Sequence, residues 1–238
     1  MYNYDIEHLE WDSVFFEKKI GRILAENTCN LENILDEAKN TGYQLIYAFG
    51  NRNFFVDVGI LKQFNGHLAD RKVVYEKKIE HAVNETPFVS EYNSIELTAE
   101  LEELAYISGE YSRFKTDKNL QDKDFYRMYK IWIENSVKHL IADNVFVVTE
   151  DNNVKGMVTL KIDNEKGKIG LIAVSPDTQG KGYGKKLISA CENKLLNKGI
   201  YKIEVPTQAD NKQACSFYEK CGFQISEIIN IYHFWLKA

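Results

Sequence analysis

Lys168–Asn197 reads KIGLIAVSPDTQGKGYGKKLISACENKLLN. Its first part, Ile169-Gly170-Leu171-Ile172-Ala173-Val174, is an apolar, β-rich run too short for a helix of its own. A loop with Pro176 leads into the glycine cluster Gln179-Gly180-Lys181-Gly182-Tyr183-Gly184. Beyond it Leu187, Ile188, Cys191, Leu195 and Leu196 return to one face at helical spacing. Strand, glycine turn and helix in this order aim unpaired backbone N–H groups and the positive end of a helix dipole at one point. That point suits phosphate or pyrophosphate. Glycine admits close backbone approach there, and it tolerates positive φ.

Several owners compete for such a cradle. A P-loop needs a hydroxyl after its lysine, and Lys185 is followed by Lys186. A dinucleotide fingerprint needs two residues between its second and third glycines. Here Tyr183 alone separates Gly182 from Gly184, although Glu204 falls about 20 residues on. A plain β–α turn with tolerant glycines is the bland alternative. The remaining pattern is Gln/Arg-x-x-Gly-x-Gly/Ala, which Gln179, Gly182 and Gly184 meet in full. It resembles the acyl-CoA pyrophosphate loop of the GCN5-related N-acetyltransferase superfamily.

Composition sets bounds around this stretch. The 238 residues suffice for one large domain or two small ones, with 44% hydrophobic and 27% charged residues as in ordinary soluble proteins. A net charge of −5 argues against a nucleic-acid binder driven by overall charge, but leaves room for a local basic pocket. Met1-Tyr2-Asn3-Tyr4-Asp5 lacks the basic and apolar regions of a signal peptide. No apolar run reaches the roughly 18 residues of a membrane span, so a cytoplasmic protein is expected. Cys29, Cys191, Cys215 and Cys221 form no C-x-x-C pair and read as reduced thiols. The five histidines show no metal-ligand spacing, and no metal is expected.

The chain divides at Glu80–Tyr92, a stretch with Pro87 and little periodicity, read as a linker. Residues 1–85 are expected to form a truncated N-terminal α/β unit. It holds strands at His8–Trp11, Ile20–Leu24, Gln44–Phe49 and Lys72–Ile79, a helix around Leu31–Ala38, and at Asn53–Phe64 an ambiguous stretch that Val56, Ile60 and Phe64 favour as helix. Residues 93–238 follow the order β-α-α-β-β-β-α-β-α-β. It starts on a strand at Ser94–Leu97, with a helix capped by Thr98, a loop at Tyr111–Lys123 and a helix burying Phe125, Met128, Tyr129, Trp132, Val137 and Leu140. A hairpin turns at Asp151-Asn152-Asn153 ahead of the opening stretch, and Phe223–Trp235 is the final strand. A dinucleotide fold would put its loop after the first strand; here it follows the fourth. The expected class is therefore α/β (α+β), a mixed, mostly antiparallel sheet flanked by helices, as in the acetyltransferase fold.

Two further segments carry chemistry. Asn211–Phe223 contains the pair Phe217-Tyr218, and Asn211 can open its helix. A phenol, with a pKa of about 10, can hand a proton to a departing thiolate. The segment is similar to a second signature of the same superfamily, in which the Asn lies near the CoA chain and the Tyr by the thioester sulfur. That resemblance implies acetyl-CoA as co-substrate, with Gln179, Gly180, Lys181, Gly182, Tyr183, Gly184 and Lys185 at the pyrophosphate and Asn211 and Phe217 beside the chain. It also implies Tyr218 as general acid, and a backbone donor within Ile172-Ala173-Val174 where the fourth strand splays from the fifth. Pro206 is compatible with that splay.

A closer resemblance runs over nearly the whole chain. Leu9-Glu10-Trp11-Asp12-Ser13-Val14-Phe15-Phe16, Ser112-Arg113-Phe114, Phe125-Tyr126 and Trp132-Ile133-Glu134-Asn135 are similar to segments of TDP-fucosamine acetyltransferases. These enzymes acetylate the amine of a TDP-linked amino-dideoxy sugar. The resemblance implies Asp70 as the carboxylate that draws a proton from the amine, standing where the enterobacterial enzyme has Glu. It implies Ser112, Arg113, Phe114 and Arg71 at the substrate, since guanidinium suits bidentate phosphate contact. Blander readings stand beside these: Trp11, Phe15, Phe16 and Trp132 as core, Arg113 as a solvated charge, Asp70 as a strand-entry carboxylate. Three functions remain open: an N-acetyltransferase for a nucleotide-linked sugar, one for another small amine or a protein N-terminus, and a non-catalytic acyl-CoA-binding module. The partner is then a small molecule, with a homodimer possible through the β-rich C-terminal end.

Overall fold

The computed structural model describes residues 6–25, 30–81 and 88–236. Cys29, Pro87 with the rest of 82–87 in the expected linker, and the Met1–Asp5 start lie outside the described residues. The chain forms two compact units: Met1–Val73 with Gln208–Asp210 and Glu227–Ala238, and Val74–Thr207 with Asn211–Ser226.

In the first unit β1 (Glu7–His8) is followed by α1 (Glu10–Phe16), β2 (Ile20–Ala25), α2 (Leu31–Asn40), β3 (Leu45–Asn51), α3 (Val58–Gln63) and β4 (Gly66–Lys78). The strand expected at His8–Trp11 ends at His8, and Glu10 and Trp11 open a helix. Trp11 and Phe15 stack at 4.9 Å with planes 12° apart; four residues along a strand would separate them by roughly 13 Å. Phe15 and Phe16 turn inward, while Trp11 is exposed rather than core. On α2 the expected face, Leu31, Leu35 and Ala38, packs with Ile46, Phe64 and Phe234. Strand β2 pairs antiparallel with β1 and parallel with β3, and β3 pairs antiparallel with the last strand, β10 (Gln224–Trp235). The order is β1-β2-β3-β10-β4, so β10 has a neighbouring strand on each side within the chain. His67 and His233, far apart in sequence, meet ring to ring at 5.8 Å, with His233 also 4.7 Å from the Tyr47 ring.

The second unit opens with β5 (Val89–Glu91), not with Ser94–Leu97. Ser94 Oγ instead accepts the Glu96 N–H at 3.0 Å, a local bond that competes with strand pairing. Then come α4 (Ala99–Gly109), α5 (Arg113–Thr116), α6 (Asp122–Val137), β6 (Asn144–Glu150), β7 (Asn153–Ile162), β8 (Gly167–Val174), α7 (Tyr183–Leu196), β9 (Lys202–Gln208) and α8 (Lys212–Lys220). Here the sheet runs β4-β9-β8-β7-β6-β5. Thr98 caps α4 as expected, its side chain accepting the Leu101 N–H. The short helix α5 stands in the expected loop. Leu140 is exposed because α6 stops at Val137 and His139 takes φ +58. Leu101, Leu104, Phe125, Tyr129, Ile133 and Val137 close over Val145, Met157, Leu171 and Ala173, and α7 packs against β6, β7 and β8.

Candidate active site

The glycine loop is a bare helix start. Gly180 has φ +84, and Gly182, the residue before α7, has φ +78. A Cβ at either would meet nothing within 4 Å, so conformation rather than space selects glycine there. No side chain caps α7 and its first turn carries no acidic residue, so backbone donors of the first turn are left for an anion. Gly184 is chosen by space instead: a Cβ would lie 3.0 Å from the Phe217 ring. Gln213 Nε2 donates to Gln179 Oε1 at 3.3 Å, a second tie from α8 to the loop. The Asn211 side chain accepts the Ala214 N–H at 3.0 Å and so caps α8. The loop and Asn211–Phe217 are thus one construction. Beside it, Lys181 binds both carboxylate oxygens of Glu150, at 2.8 and 2.9 Å.

A gap opens next to this loop. Strands β8 and β9 run parallel but share only the pairs Gly167↔Ile203 and Lys168↔Glu204, although β8 continues to Val174. The cause is a bulge. Between Leu160↔Ile169 and Val158↔Ile172, two steps on β7 oppose three on β8, which bends β8. The extra residue falls at Gly170–Leu171, and the Thr159 hydroxyl accepts the displaced Leu171 N–H at 2.8 Å. The Ser175 N–H also points to β7, onto Lys155 O at 2.8 Å. Alternation from these two positions turns the N–H groups of Ile172 and Val174 away from β7, into the gap. Gly170 inside an apolar strand was the available signal for this bulge; Thr159 had none. Replacing Thr159 by Val should leave the Leu171 N–H buried without a partner, costing about 1–3 kcal/mol in urea unfolding. An unchanged unfolding midpoint would show that the bulge does not depend on this hydroxyl.

Tyr218 is buried on α8, its ring 5.3 Å from Phe217, 5.7 Å from Tyr75 and 5.8 Å from Phe223. Burial, then the nearby Cys221 and Cys215, push its phenol well above the ordinary tyrosine range. Tyr75, on β4, donates to Glu219 Oε1 at 2.9 Å, and its pKa is likewise raised, chiefly by burial. Behind them Lys77 Nζ lies 2.6 Å from Oε1 of Glu192, whose side chain is 4% exposed. Burial raises the Cys221 thiol despite the ammonium groups of Lys77 and Lys185. Among the described residues Cys191, Cys215 and Cys221 are free thiols. Tyr75, Lys77 and Glu192 carried no sequence signal, because only the packing of β4 assembles them.

The other expected substrate residues fall in two places. Ser112, Arg113 and Phe114 form the start of α5 in the second unit. The Arg113 guanidinium lies 4.4 Å from the Phe114 ring centroid, and Phe114 meets Trp132 edge-on at 6.0 Å. Ser112 Oγ is buried with no hydrogen-bond partner. Asp70 and Arg71 lie on β4 in the first unit, where strand alternation sends them to opposite faces. The Arg71 carbonyl accepts the Ala209 N–H at 2.8 Å.

A bare helix start beside a parted pair of strands describes an acyl-CoA transferase, and the relatives agree. Residues 102–223, just over half the chain, match the acetyltransferase (GNAT) family. A Yersinia pestis (strain Pestoides F) protein named "Acetyltransferase" is 31% identical over 98 residues, 41% of this chain and 68% of that protein. A functionally unknown conserved protein from Staphylococcus epidermidis aligns at TM-score 0.66 and 12% identity, over 100% of this chain and 93% of that one. A GCN5-related N-acetyltransferase from Sphaerobacter thermophilus aligns at TM-score 0.52 and 12% identity; it covers 79% of this chain, which spans 59% of that one. The chain belongs to the acetyltransferase (GNAT) family. It has that family's mixed α/β fold and is an acetyl-CoA-dependent N-acetyltransferase. Among the described residues no helix is long and apolar enough to cross a membrane.

Proposed function

We propose that the protein moves the acetyl group of acetyl-CoA, by direct attack, onto the amine of a nucleotide-linked (TDP) amino-dideoxy sugar. The observation that carries the donor half is the parting of β8 from β9 after Lys168/Glu204, next to the uncapped start of α7. Bound acetyl-CoA supplies the thioester carbonyl. The N–H of Val174 is the donor for its oxygen as negative charge gathers there, a preorganised contact worth roughly 3 kcal/mol. Tyr218, kept protonated by burial, gives its proton to the departing sulfur. The backbone of Gly182–Lys185 and the α7 dipole hold the pyrophosphate.

For the acceptor, Arg113 stacked on Phe114 offers a planar cation and an aromatic face, which match the phosphates and base of a nucleotide. The Ser112 hydroxyl beside them lacks a partner that a bound group could provide. Asp70 is the carboxylate assigned to take the amine proton. A thermal-shift panel tests the acceptor. TDP-amino sugars should raise Tm, by linkage, while simple amines without the nucleotide should not. Arg113→Ala should abolish the sugar shift and spare that of acetyl-CoA. Equal loss of both shifts would remove Arg113 from the acceptor site, and equal shifts with simple amines would favour another small-amine acceptor.

A further inference from the structure

Tyr75 is fully buried, yet it carries a hydroxyl that a Phe of the same shape would not have to bury. Its strand, β4, is anchored on either side of it. The Ser226 hydroxyl donates to Val74 O at 3.1 Å, and the Ile79 N–H donates to Tyr201 O at 2.8 Å. Alternation turns Tyr75 and Lys77 to one face of the strand. From there Tyr75 donates to Glu219 Oε1 at 2.9 Å and sets its ring 5.7 Å from that of Tyr218. The Cys215 thiol, one turn before Glu219 on the same face of α8, also borders the Tyr75 hydroxyl.

Glu219 stands against its helix. It is the second-to-last residue of α8, where the dipole disfavours a carboxylate, and its side chain is exposed. The bond from Tyr75 is the compensation it receives there. With nine residues, α8 is too short to keep an orientation by itself. Gln213 ties its first turn to Gln179, and Glu219 ties its last turn to Tyr75. Successive helical residues point about 100° apart, so holding Glu219 also fixes the direction of Tyr218.

We propose that Tyr75 is a positioning residue for the transfer: its bond to Glu219 sets the rotation of α8 at which the Tyr218 hydroxyl acts as the acid. The proposal rests on the general-acid reading of Tyr218. Tyr75 itself touches no reacting atom. It acts through Glu219 and through the ring contact with Tyr218.

The test follows thiol release with the acceptor of the thermal-shift panel that turns over fastest, water included. Tyr75→Phe keeps the ring and should lower kcat with acetyl-CoA about tenfold, with KM within about twofold. Glu219→Leu, a change at an exposed position, should give the same loss, and Glu219→Gln, which keeps an acceptor, should restore most of the rate. Two readouts separate positioning from packing. The Tyr75→Phe defect should vanish with a thioester of an acidic thiol, and Tyr75→Phe/Tyr218→Phe should be no slower than Tyr218→Phe alone. Losses that multiply in the double variant, or a defect equal for both thioesters, or none, would overturn the role of Tyr75. If Tyr218→Phe itself leaves kcat unchanged, the acid reading fails and the positioning role with it. A leaving-group dependence shown by Tyr218→Phe and not by Tyr75→Phe defeats Tyr75 alone.

Discussion

Tyr218→Phe should lower kcat by about a hundredfold while the dissociation constant for CoA stays within about twofold, the signature of a lost general acid. The substitution removes one hydroxyl and keeps the ring contacts with Phe217, Tyr75 and Phe223 at 5.3–5.8 Å, so α8 and the loop it braces should survive. In the proposed binding mode the pyrophosphate uses the backbone of α7 and not this phenol. A leaving-group series separates the acid from a packing role. With a thioester of an acidic thiol, whose thiolate departs unaided, the gap between Tyr218→Phe and the unaltered protein should close. A gap that stays constant across leaving groups assigns Tyr218 to packing.

The largest stability effect is expected behind the site. Lys77→Met removes the cation 2.6 Å from Glu192 and leaves a carboxylate with a 4% exposed side chain uncompensated. Breaking such a pair costs about 3–5 kcal/mol. The Lys77 side chain is itself 25% exposed, so solvent can relax part of the field and the lower end is expected. The loss should appear in urea unfolding and as a Tm drop of roughly 10 °C. The double variant Lys77→Met/Glu192→Leu should recover most of it, because the desolvation of both charges disappears together. If the double variant is no more stable than the single one, the lysine acts through its ammonium over the Phe223 ring, 5.8 Å from the centroid, and not through the carboxylate.

What the sequence made legible was local. Gln179–Gly184 sits between an apolar run and a helical period, so strand, turn and helix could be placed, and the positive φ values at Gly180 and Gly182 agree. Asn211 was readable as a helix opening and caps α8, and the aromatic Phe217, half-buried, meets Gly184 of the loop. Short runs failed: four residues at His8–Trp11 cannot separate a period of two from one of 3.6, and the helix won through the Trp11–Phe15 stack. The parting of β8 and β9 goes with a bulge whose displaced Leu171 N–H meets Thr159, a residue of another strand. The Lys77–Glu192 pair spans 115 positions, and no single-segment pattern carries that information. The place of β10 between β3 and β4 is non-local in the same way.

The acyl transfer and its acceptor meet in one assay: thiol release from acetyl-CoA, coupled to a chromogenic disulfide, across TDP- and UDP-linked amino sugars and simple amines. Release should require a nucleotide-linked amino sugar and be about a hundredfold slower with Tyr218→Phe. Release that proceeds equally well with simple amines, or that is absent with every acceptor while CoA still binds, would contradict the proposed function.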